Sequence, residues 1–129
     1  MGRSVINTDQ APSAIGPYSQ AVKIDNTVFL SGQIPLQPDS MELVSDQFSD
    51  QCHQVFKNLS AVATAAGGSM KEMAKLTIYL SDLSHFPQVN DIMAQYFEEP
   101  YPARAAVEVA ALPKGSIIEI DAIMVVENP

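Results

Sequence analysis

Cysteine is almost missing from this chain. Cys52 stands alone in 129 residues, which excludes an intrachain disulfide and fits a reducing compartment. Histidine is nearly as scarce: His53 and His85 lie far apart, and neither sits in a cluster with ligand spacing, so no metal is expected. Seven Lys plus Arg face fifteen Asp plus Glu, a formal charge of -8. Such a balance repels phosphate backbones and argues against a nucleic-acid partner. Long apolar runs are absent as well; the longest fall far short of the roughly 20 residues that cross a bilayer. The opening MGRSVINTDQ lacks a signal peptide's apolar core, so a cytoplasmic protein without a membrane partner is expected. Myristoylation is discarded because Ile6 stands where Ser or Thr is wanted. The glycines at 16, 32, 67, 68 and 115 do not gather into a phosphate-cradling loop, and no cofactor is expected.

What the chain does contain is core material. Hydrophobic residues make up 47% and charged residues 17%, with no low-complexity tract, which reads as one folded domain over residues 1–129. YSQAVKI (18–24) and TVFLSGQIPL (27–36), separated by Asp25-Asn26, predict a β-hairpin. From Phe48 to Ala66, apolar residues recur at three- and four-residue spacing, predicting a helix capped by Ser49 or Asp50 and stopped at Gly67-Gly68. AKLTIYLSD (74–82) reads as a strand, and SHFPQVNDIMAQYFEE (84–99) as a second helix capped by Ser84, with Pro87 tolerated in its first turn. RAAVEVA and SIIEIDAIMVVE supply two more strands around ALPKG. Right-handed crossovers in the order ββ-α-β-α-ββ place both helices on one face of a mixed sheet. The face left bare is expected to be covered by another copy of the chain.

Strand alternation then sorts the polar residues. Ala105, Val107 and Val109 share one face of their strand; Arg104, Ala106 and Glu108 share the other. In the last strand Glu119 and Asp121 oppose Ile118, Ile120 and Ala122. With the apolar sets under the helices, Arg104, Glu108, Glu119 and Asp121 are all expected on the bare face. A guanidinium there suits a small carboxylate, because its planar fork matches two carboxylate oxygens, and Ala103, Ala105 and Ala106 leave room for one. A half-buried Glu119 beside it would hold water or move a proton. The same pattern also describes an interfacial ion-pair network with no chemistry at all.

The motifs APSAIGPYSQAV, LSGQIP, AAGG, DLSHFPQVN and YPARAAVEVAALPKGSIIEIDAI together resemble the RidA (YjgF) family of reactive-intermediate deaminases, from about residue 4 to residue 127. The resemblance implies an α+β fold, a chorismate-mutase-like mixed β-sheet with two helices on one face, assembled as a homotrimer with clefts between subunits. It implies hydrolysis of 2-enamine and 2-imino acids, such as 2-aminoacrylate and 2-iminobutanoate, to 2-keto acids and ammonia. Arg104 then matches the carboxylate-binding arginine and Glu119 the water-positioning acid. Tyr18, Ser31, Gly32 and Asn90 match residues lining the cleft. Many relatives carry cysteine where this chain has Ala106, so the chemistry implied here uses no thiol, and Ala106 contributes through its backbone.

Cys52 falls on the apolar stripe of the first helix and reads as a small buried hydrophobe; His53, its sequential neighbour, points elsewhere, which excludes a Cys-His nucleophile pair. Two other functions fit the same cleft: a regulatory trimer that binds a keto acid without turnover, and an endoribonuclease or translation inhibitor, which the acidic balance disfavours.

Overall fold

Two residues reverse the chain between β2 (Ala21–Ile24) and β3 (Thr27–Gln33), with Asp25 at φ 54°, a left-handed conformation that aspartate tolerates in turns. The hairpin predicted there is present, although its first strand begins at Ala21 and not at Tyr18. The computed structural model describes residues 2–127. It adds one strand that sequence patterning did not reveal, β1 (Arg3–Ile6), antiparallel to β2 at the sheet edge. Four residues, largely exposed, leave little apolar alternation to read.

Helix α1 (Phe48–Ala65) follows the predicted stripe, burying Cys52, Val55, Phe56, Leu59, Val62 and Ala63. Each large apolar side chain so buried contributes on the order of 1.5–3 kcal/mol. Its N-cap is Gln47, not Ser49 or Asp50, and no side chain caps it; Asp50 instead accepts a 2.8 Å bond from Ser45 Oγ. At the other end Gly67 takes φ 90° and Gly68 N–H returns to Ala63 O over 2.9 Å, the stop expected of a glycine pair. Strand β4 (Met73–Leu80) follows.

The second helix is shorter than its periodicity suggests. Asp82, not Ser84, caps the region, accepting from Ser84 N–H at 2.9 Å in a 3-10 turn. Helix α2 then runs only from Phe86 to Met93, with Pro87 in its first turn. Tyr96 and Phe97 still reach the core from the turn beyond, so helical spacing persisted where the helix did not. Strands β5 (Ala103–Glu108) and β6 (Ile118–Val125) complete the set.

The six strands order as β1-β2-β3-β6-β4-β5, with β4–β5 the parallel pair and β6 inserted antiparallel between β3 and β4. The crossovers β3-α1-β4 and β4-α2-β5 therefore advance in one direction, and α1 and α2 pack together against one face. Three buried amides fasten the loops. Gln20 donates to Pro12 O (2.8 Å) and accepts from Thr8 N–H (2.7 Å). Asn58 donates to Leu36 O (3.0 Å), and Gln51 joins Ser45 O and Ile117 N–H, each at 2.9 Å. A buried amide satisfied at both ends fixes the backbone it touches.

Cys52 is fully buried, and that burial pushes its thiol up to about 12. Iodoacetamide at about pH 8 should leave the native protein unlabelled and modify it fully after denaturation, because the thiolate is the reacting form. His53 turns away from it, as expected, with Nδ1 2.7 Å from the Tyr96 hydroxyl.

Candidate active site

Cross-strand register decides which polar groups share a face, and it corrects the alternation argument for β5. Arg104 sits opposite Leu76, which sits opposite Ala122, and both of those residues are buried beneath the helices. Arg104, Ala106 and Glu108 therefore belong to the helix face. Glu108 confirms the direction by accepting the Leu83 N–H at 2.9 Å from the turn preceding α2. Ala105 and Val107 occupy the bare face, beside Thr77 with Asp121 and Tyr79 with Glu119. The period of two was right and the face assigned to β5 was wrong. Apolar residues ordinarily mark the helix side of a strand, but β5 is an edge strand and α2, eight residues long, covers only part of it.

Arg104 is held by α2. Its Nη1 donates to Asn90 Oδ1 at 2.6 Å and lies 3.7 Å from Met93 Sδ, while Cζ stands 4.8 Å from the centre of the Phe86 ring. None of these partners carries a charge, so the guanidinium is oriented without being neutralised. Beside it opens a cavity of about 300 Å³ lined by Asn90, Met93, Ala94, Tyr101, Pro102 and Arg104. Of the expected site residues, Asn90 is thus the one brought directly to Arg104. Ala106 lies two residues along the same face, partly buried against the core. Sequence spacing concealed Phe86 and Met93, because both fit the apolar stripe of a core helix.

On the bare side Glu119 meets Gly32, and Ser31 and Tyr18 lie on either side of that glycine, one beside it in the chain and the other across a shared cavity. Register slips between Leu30 and Gln33 where β3 meets β6, so Ser31 and Gly32 form an irregularity facing this end of β6. A Cβ on Gly32 would meet the Glu119 side chain, with Cδ at 3.0 Å and Oε2 closer still. Glycine is needed here for close approach, not for its backbone angles. Ser31 donates through Oγ to Ser19 O at 2.6 Å, which ties β3 to the Tyr18 loop. Tyr18 is exposed and lines, with Gly32, Gln33 and Lys114, a second cavity of about 430 Å³. Burial first, and the neighbouring Asp121 carboxylate second, raise the Glu119 carboxyl above the ordinary glutamate range. Gly32→Ala should displace this carboxylate while sparing the fold, since only the end of a flexible side chain must move. A displacement near 1 Å costs roughly 10²-fold in turnover, measurable as kcat/KM beside an unchanged thermal melt.

One chain therefore carries two polar groupings on opposite faces of its sheet, a guanidinium oriented by an asparagine and a raised carboxyl packed on glycine. The family model described as endoribonuclease L-PSP matches residues 8–126. Human 2-iminobutanoate/2-iminopropanoate deaminase is 49% identical over 123 residues, covering 95% of this chain and 90% of that protein. The chain belongs to the RidA (YjgF) family. Among solved structures, RidA from an Antarctic Psychrobacter superposes with a TM-score of 0.92 at 50% identity, covering 95% of this chain and 99% of its own. Escherichia coli TdcF, solved with bound serine, gives 0.90 at 41% identity, covering 95% of this chain and 98% of that one. The mixed six-stranded sheet of this chain thus belongs to a fold common to the family, and no helix among its described residues is long and apolar enough to cross a membrane.

Proposed function

We propose that this RidA-family chain hydrolyses 2-enamine and 2-imino acids such as 2-aminoacrylate and 2-iminobutanoate to 2-keto acids and ammonia, in a site completed by two copies. The observation that carries this reading is Arg104, oriented by Asn90 over an open cavity with no charged partner among its contacts. A fork held in that way suits a small carboxylate. Because the sheet separates Arg104 from Glu119 within one chain, Arg104, Asn90 and the Ala106 backbone serve from one copy. Glu119, Gly32, Ser31 and Tyr18 serve from the next. Val5, Phe29, Val107 and Val125 are 61%, 47%, 43% and 44% exposed, and they lie on the bare face, which suits burial against a neighbour. The family resemblance supports a homotrimer as the assembly, for which native mass spectrometry should give three times 13.9 kDa.

In the reaction, Arg104 clamps the substrate carboxylate and the enamine takes a proton at C3 to become the imine. Water held by Glu119 adds to C2 as Glu119 accepts its proton, forming a carbinolamine. The nitrogen is then protonated, the C–N bond breaks as C2=O forms, and ammonia leaves. Glu119 must be ionised to accept that proton. Its raised pKa therefore places the acid-side loss of activity at a higher pH than an ordinary glutamate would.

The test supplies a dehydratase with serine or threonine and follows decay of the imine and release of keto acid with and without the protein. Faster release supports the deaminase. Binding of pyruvate or 2-ketobutyrate with no acceleration would favour a ligand-sensing trimer instead. The family's ribonuclease description is disfavoured for this chain by its charge of -8 and by two adjacent acids on the bare face, which repel phosphodiesters.

A further inference from the structure

Glu119 has company on the bare face. Its cross-strand neighbour on β4 is Tyr79, flanked on β5 by Val107, and the adjoining row holds Asp121, Thr77 and Ala105. Tyr79 is partly exposed on that face. Its hydroxyl reaches diagonally across the ladder and donates to Asp121 Oδ2 at 2.8 Å. Asp121 and Glu119, two residues apart on one strand, present their carboxyls on the same side. An aspartate on an open sheet face has rotamer freedom and water available, so like-charge repulsion would drive it away from Glu119 unless something held it. The tyrosine bond is that restraint.

We propose that Tyr79 is a positioning residue: its hydroxyl pins the Asp121 carboxylate beside Glu119, and the pinned charge governs the protonation of Glu119. This rests on the reading of Glu119 as the base that activates water. The 2.8 Å bond from Tyr79 to Asp121 and the cross-strand place of Tyr79 opposite Glu119 carry it, and the electrostatics agree. Asp121 is, after burial, the cause that raises the Glu119 carboxyl. The Tyr79 phenol is itself raised, first by its bond to Asp121, so it remains a protonated donor throughout the neutral range. The other groups facing this cluster are few. Lys75 lies one row beyond Asp121 on β4, between Ile123 and Ala103. Gly32 and Ser31 on β3 carry no charge, and Tyr18 borders the far side of Gly32. Helices α1 and α2 pack on the opposite face, and in the two-copy site the guanidinium of Arg104 from a second copy approaches Glu119. That cation acts on Glu119 in every variant below and leaves their comparison intact.

The test is a titration of the Glu119 side-chain carboxyl by 13C NMR in the intact protein, for wild type, Tyr79→Phe, Asp121→Asn and the double variant. Tyr79→Phe keeps the ring and its packing, so the fold is not at stake. Both single variants should lower the Glu119 midpoint, Tyr79→Phe by less, and the double variant should match Asp121→Asn. The acid limb of the kcat/KM profile should move with them. A midpoint unmoved in Tyr79→Phe would overturn the proposal. So would a raised midpoint, which would mean that the hydroxyl damps the Asp121 charge and does not place it. A Tyr79→Phe effect that persists without Asp121 would do the same. The titration is read without turnover, so it decides the coupling even if Glu119→Gln keeps its activity, a result that would overturn only the general-base reading.

Discussion

Arg104→Ala should lower kcat/KM for imine hydrolysis by roughly 30- to 5,000-fold, the equivalent of the 2–5 kcal/mol lost when one partner of a desolvated charge pair is truncated. The loss should appear mainly in kcat/KM, since the arginine grips a part of the substrate that does not react. Stability should change by less than about 1 kcal/mol, because Arg104 lies on the exposed rim of an edge strand and its contacts are one hydrogen bond, a sulfur and a ring face. Arg104→Lys separates charge from shape. Lysine keeps the positive end but loses the planar fork and its stacking on Phe86, so an intermediate loss of about tenfold is expected. Steady-state kinetics with a dehydratase-coupled substrate, beside thermal melts of each variant, checks both statements. An Arg104→Ala protein as active as wild type would remove the anchor from the mechanism.

Mixing two inactive variants tests the two-copy site more sharply. Glu119→Gln should by itself lose roughly 10²–10⁴-fold through removal of the base. If Arg104 and Glu119 of one site come from different copies, a mixed assembly of Arg104→Ala and Glu119→Gln chains contains sites in which both residues are intact. Random equal mixing makes this true of about a quarter of the sites in a closed ring. Activity should therefore climb from near zero to about 25% of wild type after co-expression, or after unfolding and refolding the two together. A site built within one chain allows no recovery, because every site would lack one residue. The geometry leads to this expectation directly: Arg104 shares a row with Leu76 and Ala122 under the helices, whereas Glu119 pairs with Tyr79 on the bare side.

The site residues were legible to different depths. Arg104 stood out as one of only two arginines, set among small side chains, and Glu119 through a carboxylate recurring in a β-branched run. Asn90 looked like plain helix surface until the fold carried α2 alongside β5. Tyr79 gave no signal, because a tyrosine in a β-rich run is what any half-buried strand contains. Its hydroxyl matters only through Asp121, 42 positions away in the chain.

Local features needed nothing beyond the chain itself: the Asp25-Asn26 turn, the apolar stripe of α1, the glycine stop after it, and the alternation along β6 all follow from propensities acting over a few residues. Alternation also established that Arg104 and Ala105 point to opposite sides. It did not tell which side carries the helices, because a period of two is unchanged when the strand is turned over. That choice came from pairing β5 with β4 and from the packing of a short α2 beneath it, both of them interactions between segments distant in sequence. The same long-range pairing placed β6 between β3 and β4 and so set Glu119 against Gly32, on the face opposite the arginine.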